Sequence, residues 1–297
     1  MQAEVECITS FGNDLGESLL WDADGGLVYW IDAWKCLVQT YDPVTGNIGR
    51  IDFARPLDGR PIGSIALGND GALISGVKGG FYRLDMRNGD VELLAAVETE
   101  RPPTNRLNDG KCDRRGRFWC ASINTDRQTR SGALWRFDRG SGARLMDDGL
   151  QAGNGIAWSP DDRIMYLADS FLRRIWQYDF DLEHGEVANR RLFVSTEALG
   201  VPDGATVDAD GCYWTALFQA GAVAQFDPDG KLIKRIELPV TYPTMCSFGD
   251  DDLGTLYVTS ASRFSDEADR LARPRTGHLF AIRGLGVRGL PDAKFRM

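Results

Sequence analysis

Apolar residues along this chain come in short runs that alternate, or nearly alternate, with polar ones, and the runs recur. "LVYWID" begins at Leu27, "ALISGV" at Ala72, "RFWCAS" at Arg117, "IMYLAD" at Ile164, "CYWTAL" at Cys212 and "TLYVTS" at Thr255, a spacing of about 45 residues. Each follows a turn rich in Asp and Gly, the chemistry that reverses a chain at low cost. Each also precedes a second run: "VQTYDP", "GFYRLD", "ALWRFD", "IWQYDF", "AVAQFD" or "HLFAIR". A period of two predicts sheet, not helix. Only "SDEADRLARP" (265–274) reads as helix, and it falls inside the last repeat as a connection.

A repeat of this length with four short strands per copy predicts a β-propeller. The expectation is an all-β fold: a six-bladed β-propeller with four-stranded blades around a central channel, with 1–297 as one domain. "QAEVECI" stands where "IGRIDFA" stands one repeat later. The amino-terminal strand is therefore expected to pair into the last blade and remove its open edge.

The first strand of each copy would line the channel, so equivalent positions should face one another around the axis. The residues four before each aligned turn position are Glu17, Gly63, Asn108, Asn154, Asp203 and Thr244. Polar groups placed there need partners. Glu17, Asn154 and Asp203 offer oxygen ligands only, which suits a hard divalent cation such as Ca²⁺, Mg²⁺ or Mn²⁺; Zn²⁺ more often chooses His or Cys. The same residues can instead satisfy one another in a hydrogen-bonded ring without an ion. "DADG" (208–211) begins like an EF-hand loop, but Gln219 stands where a bidentate Glu is needed, so that reading fails. In "RLNDGK", Arg106 and Asn108 are two apart and share a face if extended, a guanidinium and an amide for carbonyl and hydroxyl oxygens. Pairing of Arg106 with an acidic side chain is the alternative.

Charge and composition narrow the classes. A net charge of −9 argues against nucleic acid or anionic membrane as partner. No apolar run approaches the roughly 18 residues needed to span a bilayer. "MQAEVECITS" has neither a basic n-region nor an apolar h-region, and a cytoplasmic protein is expected. Six cysteines without a Cys-x-x-Cys pair read as buried thiols. The two histidines, His184 and His278, lie outside the repeated channel position, and no G-x-S-x-G elbow exists, which argues against Ser–His catalysis. "GLGVRG" (284–289) matches a dinucleotide pattern but opens no helix and leaves no room for the acid about 20 residues on; it is a loop.

"RLNDGKCDRRGRFW", "NGIAWSPD", "YDFDLEHGEVANRR", "VPDGATVDADGCYWTA" and "GLGVRG", in that order, resemble the regucalcin (senescence marker protein 30) and gluconolactonase family over nearly the whole chain. The resemblance implies a six-bladed propeller with one catalytic divalent metal (Ca, Mg, Mn or Zn) that hydrolyses sugar-acid lactones to open-chain aldonic acids. It aligns Glu17, Asn154 and Asp203 with the metal ligands, and Arg106 and Asn108 with substrate-binding residues. Asp126 in "ASINTD" aligns by spacing with a substrate-contacting glutamate of animal members and is one methylene shorter. In "GESLLW", Leu19 replaces the family's usual proline. A Lewis-acidic ion polarises a lactone carbonyl and acidifies bound water. Asp203 is the expected general base, with ion-bound hydroxide as the alternative. The implied partner is a small-molecule sugar lactone; no protein partner is implied. A calcium-binding regulatory protein without catalysis and a propeller phosphotriesterase or arylesterase are the alternative functions.

Overall fold

In the computed structural model, which describes residues 3–297, each repeat folds into a four-stranded antiparallel sheet, and six such sheets form a β-propeller. Blade 1 comprises Gly16–Asp22, Leu27–Asp32, Leu37–Tyr41 and Ile48–Asp52, laid down from the axis outward. Blades 2 to 5 repeat this plan from innermost strands Ile62–Leu67, Asn105–Cys112, Gly153–Trp158 and Val201–Val207. Blade 6 begins at Pro243–Gly249 and takes Glu4–Cys7 as its outermost strand, in register Glu4↔Arg283 to Cys7↔Phe280. The amino terminus thus closes the ring as the repeat predicts, so the edge of blade 6 is paired.

Burial grades from axis to rim. Ile62–Leu67 and Gly153–Trp158 are buried along their whole length, because both faces of an inner strand pack on neighbouring blades. Ile48–Asp52 and Leu232–Glu237 expose most of theirs, and only one face meets the core. The core fills the gaps between blades, where Trp30, Trp119 and Trp214 are fully buried. All six cysteines are free thiols, five of them buried. The helix is Glu267–Ala272, capped by Asp266, whose carboxylate accepts the Asp269 amide at 2.7 Å. No helix among the described residues is long and apolar enough to cross a membrane.

Two carboxylate devices recur from blade to blade. Asp113 and Asp208, in the turns after inner strands, accept the indole N–H of Trp119 and Trp214 at 2.8 Å each and so anchor the second strand. Asp208 also accepts the amides of Asp210 and Cys212, so the "DADG" turn uses its carboxylate internally. Asp32 and Asp169, at the ends of second strands, reach back to the entry of the inner strand. Asp32 accepts the amides of Asp14 (2.9 Å) and Leu15 (3.3 Å); Asp169 accepts those of Gln151 and Ala152 (3.0 Å each). Each clamp lies just ahead of a channel residue, Glu17 in one blade and Asn154 in the other.

The end of the chain crosses the far mouth of the channel. Gly289 bridges to Asp208 and Phe295 to Gly68, which ties blade 5 to blade 2. Between them, Asp292 accepts the Trp21 amide at 3.1 Å and pairs with Lys111 at 3.7 Å. Phe295 is fully buried and stacks on Phe137, 5.6 Å between ring centroids. "GLGVRG" is a loop in this crossing, not the start of a helix.

Candidate active site

All six innermost strands carry the same irregularity. In blade 1, Glu17 pairs with Ile31 and Leu20 with Tyr29, so three steps on the inner strand face two on its partner. The same extra residue appears at Leu107–Gly110, Asn154–Ala157, Pro202–Ala205 and Pro243–Cys246, and in shorter form at Ile62–Ser64. These are β-bulges, which bend a strand and re-aim its side chains. Glu17, Gly63, Asn108, Asn154, Asp203 and Thr244 each fall in the bulge of their own strand. Ser18 (φ 50°) and Gly155 (φ 58°), the residues after Glu17 and Asn154, take left-handed backbone to turn the chain there.

The bulges bring Glu17, Asn108, Asn154 and Asp203 together with Arg106 on one cavity of about 520 Å³, at the end of the channel opposite the carboxy-terminal crossing. The other two ring positions serve structure. A Cβ at Gly63 would collide with the carbonyl oxygens of Leu107 and Asn108, so glycine permits close approach of blades 2 and 3. The Thr244 hydroxyl bonds to the Gly16 carbonyl and to Thr259, stitching blade 6 to blade 1.

The electrostatics of the cavity are unbalanced. Burial, then the negative charges of Asp203 and Asp109, push the Glu17 carboxyl well above the usual carboxylate range, against the pull of Arg106. Burial, then Asp109, do the same to Asp203. Among the described residues no side chain donates a hydrogen bond to either; the backbone amides of Ser18 and Gly204 offer partial relief. Two crowded carboxylates with an amide oxygen beside them make an all-oxygen donor set suited to a hard dication. No cluster of three His, Cys, Asp or Glu forms among the described residues, so any such site depends on the amide.

Asn154 is held at both ends. Its Oδ1 accepts Asn108 Nδ2 at 2.8 Å, and its Nδ2 donates to Ser170 Oγ at 2.7 Å. Ser170 Oγ in turn donates to the Pro202 carbonyl at 2.7 Å, next to Asp203. This chain fixes which end of the amide faces the cavity, the orienting role outer partners play at ligand sites. Asn108 Nδ2 also donates to the Gly153 carbonyl at 3.0 Å, and among the described residues nothing donates to Asn108 Oδ1.

Arg106 is 7% exposed, with its guanidinium 5.7 Å from the Trp34 ring centroid and Nη1 donating to the Leu107 carbonyl at 3.0 Å. Among the described residues its Nε has no partner. An unmade hydrogen bond from a buried donor is costly, and a ligand oxygen would restore it.

Asp126 departs from the sequence expectation. It is exposed in the loop after Phe118–Asn124 and does not line the cavity. Its Oδ1 accepts the Gln128 amide at 2.8 Å, a local turn bond that a short side chain favours over reaching inward. The next residue, Arg127, lines the cavity instead, as do Ser170, Phe171, Phe218 and Phe264. Sequence reasoning also missed Asp109, a buried carboxylate that accepts the Ile156 amide at 3.1 Å. Strict alternation would turn Asp109 away from Asn108; the bulge removes that rule. Ser170 had a faint signal, a polar residue directly after the "IMYLAD" run.

The sequence matches the family model described as "SMP-30/Gluconolactonase/LRE-like region" over residues 15–262. It is 34% identical to a 6-deoxy-6-sulfogluconolactonase of Pseudomonas putida over 99% of both chains. It is 31% identical to a regucalcin of Xenopus laevis over 98% of both. Among solved structures, a calcium-binding protein, regucalcin, from Agrobacterium tumefaciens superposes with a TM-score of 0.91 at 24% identity, covering 98% of this chain and 97% of that one.

Proposed function

The chain belongs to the SMP-30/gluconolactonase/LRE-like family, and from that premise we propose that it hydrolyses a sugar-acid lactone to the open-chain aldonic acid, with a divalent cation at Glu17, Asn154 and Asp203. The observation that supports this most directly is one cavity lined by two carboxylates without side-chain donors and by a buried guanidinium with an orphan Nε. When bound, the cation supplies Lewis acidity at the lactone carbonyl and lowers the pKa of water. Asp203 takes the proton from the attacking water at a carboxylate oxygen. It returns that proton to the ring oxygen as the acyl C–O bond breaks. Arg106 Nε donates to a substrate oxygen, and Asn108 Oδ1 accepts from a ring hydroxyl; fixing the ring this way removes part of the entropic barrier. Asn108 and Ser170 together hold Asn154 in its working orientation.

The test is turnover of an aldonolactone by exhaustively demetallated protein, with residual metal measured by elemental analysis. Activity should vanish and return with Ca²⁺, Mg²⁺, Mn²⁺ or Zn²⁺ at different rates, since oxygen sites discriminate weakly among divalent ions. Full activity at a few per cent occupancy would sink the mechanism. The regucalcin relatives favour a second reading, cation binding without catalysis. Lactone turnover that exceeds the uncatalysed rate and is lost in Asp203→Ala decides against it.

A further inference from the structure

A wider chamber of about 940 Å³ lies next to the candidate site and shares Arg127, Ser170, Phe171, Val201, Phe218 and Phe264 with it. Among the described residues its only charged lining residues are Arg127 and Arg173, and no carboxylate lines it. That is notable in a chain with net charge −9, where arginines such as Arg101, Arg114 and Arg117 are engaged by carboxylates. The Arg127 guanidinium instead lies 4.8 Å from the Phe171 ring centroid, and Arg173 Nη1 donates to the Glu197 carbonyl at 3.2 Å. Both keep donors free.

The backbone fixes where the two arginines leave their loops. Arg127 (φ 61°) and Arg173 (φ 51°) both occupy left-handed conformation, where glycine or asparagine is the common choice. Gln151 Nε2 holds the Arg127 carbonyl at 2.8 Å, and the Arg173 amide closes the short 3₁₀ turn onto the Ser170 carbonyl at 3.0 Å. Among the described residues nine other non-glycine residues share this backbone, so it sets only where the two side chains leave their loops, and the charge of the chamber comes from its lining.

We infer that the substrate is an anionic sugar lactone. The lactone ring enters the inner cavity, and an oxyanion group on the carbon chain distal to the lactone carbonyl is received by Arg127 and Arg173. This rests on the lactonase reading. Guanidinium forks match sulfonate, phosphate and carboxylate alike, and because both arginines are exposed the attraction weakens as salt rises.

The experiment compares kcat/KM of the metal-loaded enzyme for a neutral hexonolactone and for the same ring bearing a terminal sulfonate, phosphate or carboxylate. The expected result is a preference of about tenfold or more for at least one anionic form, and the three arms identify which. Arg127→Ala and Arg173→Ala should each lower the ratio of anionic to neutral kcat/KM several-fold. Arg127→Lys should retain part of it, and Arg127→Glu should invert it. Equal kcat/KM for neutral and anionic lactones, or a ratio unmoved in both alanine variants, overturns the inference. If no lactone is turned over, the lactonase reading fails, and calorimetry with the open-chain acids tests the chamber separately. Selective weakening of the doubly charged acid by Arg127→Ala with Arg173→Ala supports the anion site; equal affinity for singly and doubly charged acids overturns it.

Discussion

The Ser170 hydroxyl accepts Asn154 Nδ2 at 2.7 Å and, together with the Asn108 bond to Asn154 Oδ1, fixes the orientation of the Asn154 amide at the cavity. Ser170→Ala removes it without touching either carboxylate. Cation affinity measured by calorimetry should fall about 10- to 100-fold, the usual cost of losing an outer-shell partner. The folding midpoint of the metal-free protein should also fall, since a buried donor left unpaired costs about 1–3 kcal/mol, so affinity is measured well below that midpoint. An unchanged affinity would mean that Asn108 alone orients the amide.

Asp203 carries two roles in the proposed reaction, and two substitutions separate them. Asp203→Asn keeps an oxygen donor but cannot take a proton, so kcat should drop by about 10²-fold or more while cation binding persists in weakened form. Asp203→Ala should lose both. A fully active Asp203→Asn enzyme with metal bound removes this residue from the proton transfer.

Crowding of Glu17, Asp203 and Asp109 predicts that a cation stabilises the fold. Binding to the native state alone raises stability by about 2.7 kcal/mol when free cation is 100 times its Kd. Thermal denaturation with and without Ca²⁺ or Mn²⁺ should show the shift, and Glu17→Gln should abolish most of it. An equal shift in that variant would place the cation elsewhere.

Asp126 is exposed and bonded to its own loop. Asp126→Ala should therefore leave lactone kcat/KM within a few-fold, as for surface groups outside a site. A loss of 10²-fold would show that the loop turns inward when substrate binds.

The carboxy-terminal crossing is held by its buried ring. Phe295→Ala should cost about 3–5 kcal/mol, read as a lowered denaturant midpoint, because Phe295 is fully buried and stacks on Phe137. Asp292→Ala should cost less, since its contacts are one amide at 3.1 Å, the Ser247 hydroxyl at 3.5 Å and a long pairing with Lys111 at 3.7 Å. A reversed order would give the crossing a polar, not an apolar, anchor.

Sequence alone determined the repeat, the six blades, the closing strand Glu4–Cys7 and the ring of aligned polar positions that includes Glu17, Asn154 and Asp203. Those features are written in local pattern: alternation marks a strand, Asp-Gly turns mark its ends, and a polar residue kept in register marks a shared place. Only the tertiary structure decided which ring members meet. The bulge in each inner strand is one extra residue opposite a partner strand, so it exists only in the pairing and leaves no trace in composition. It turns Asp109 into the interior against the rule of alternation, and it lets Gly63 and Thr244 serve packing while Asn108 and Asn154 line the cavity. The loop that exposes Asp126 and presents Arg127 has no periodicity to constrain it, so its direction is set by contacts such as Gln151 Nε2 on the Arg127 carbonyl, made across blades by residues far apart in the chain.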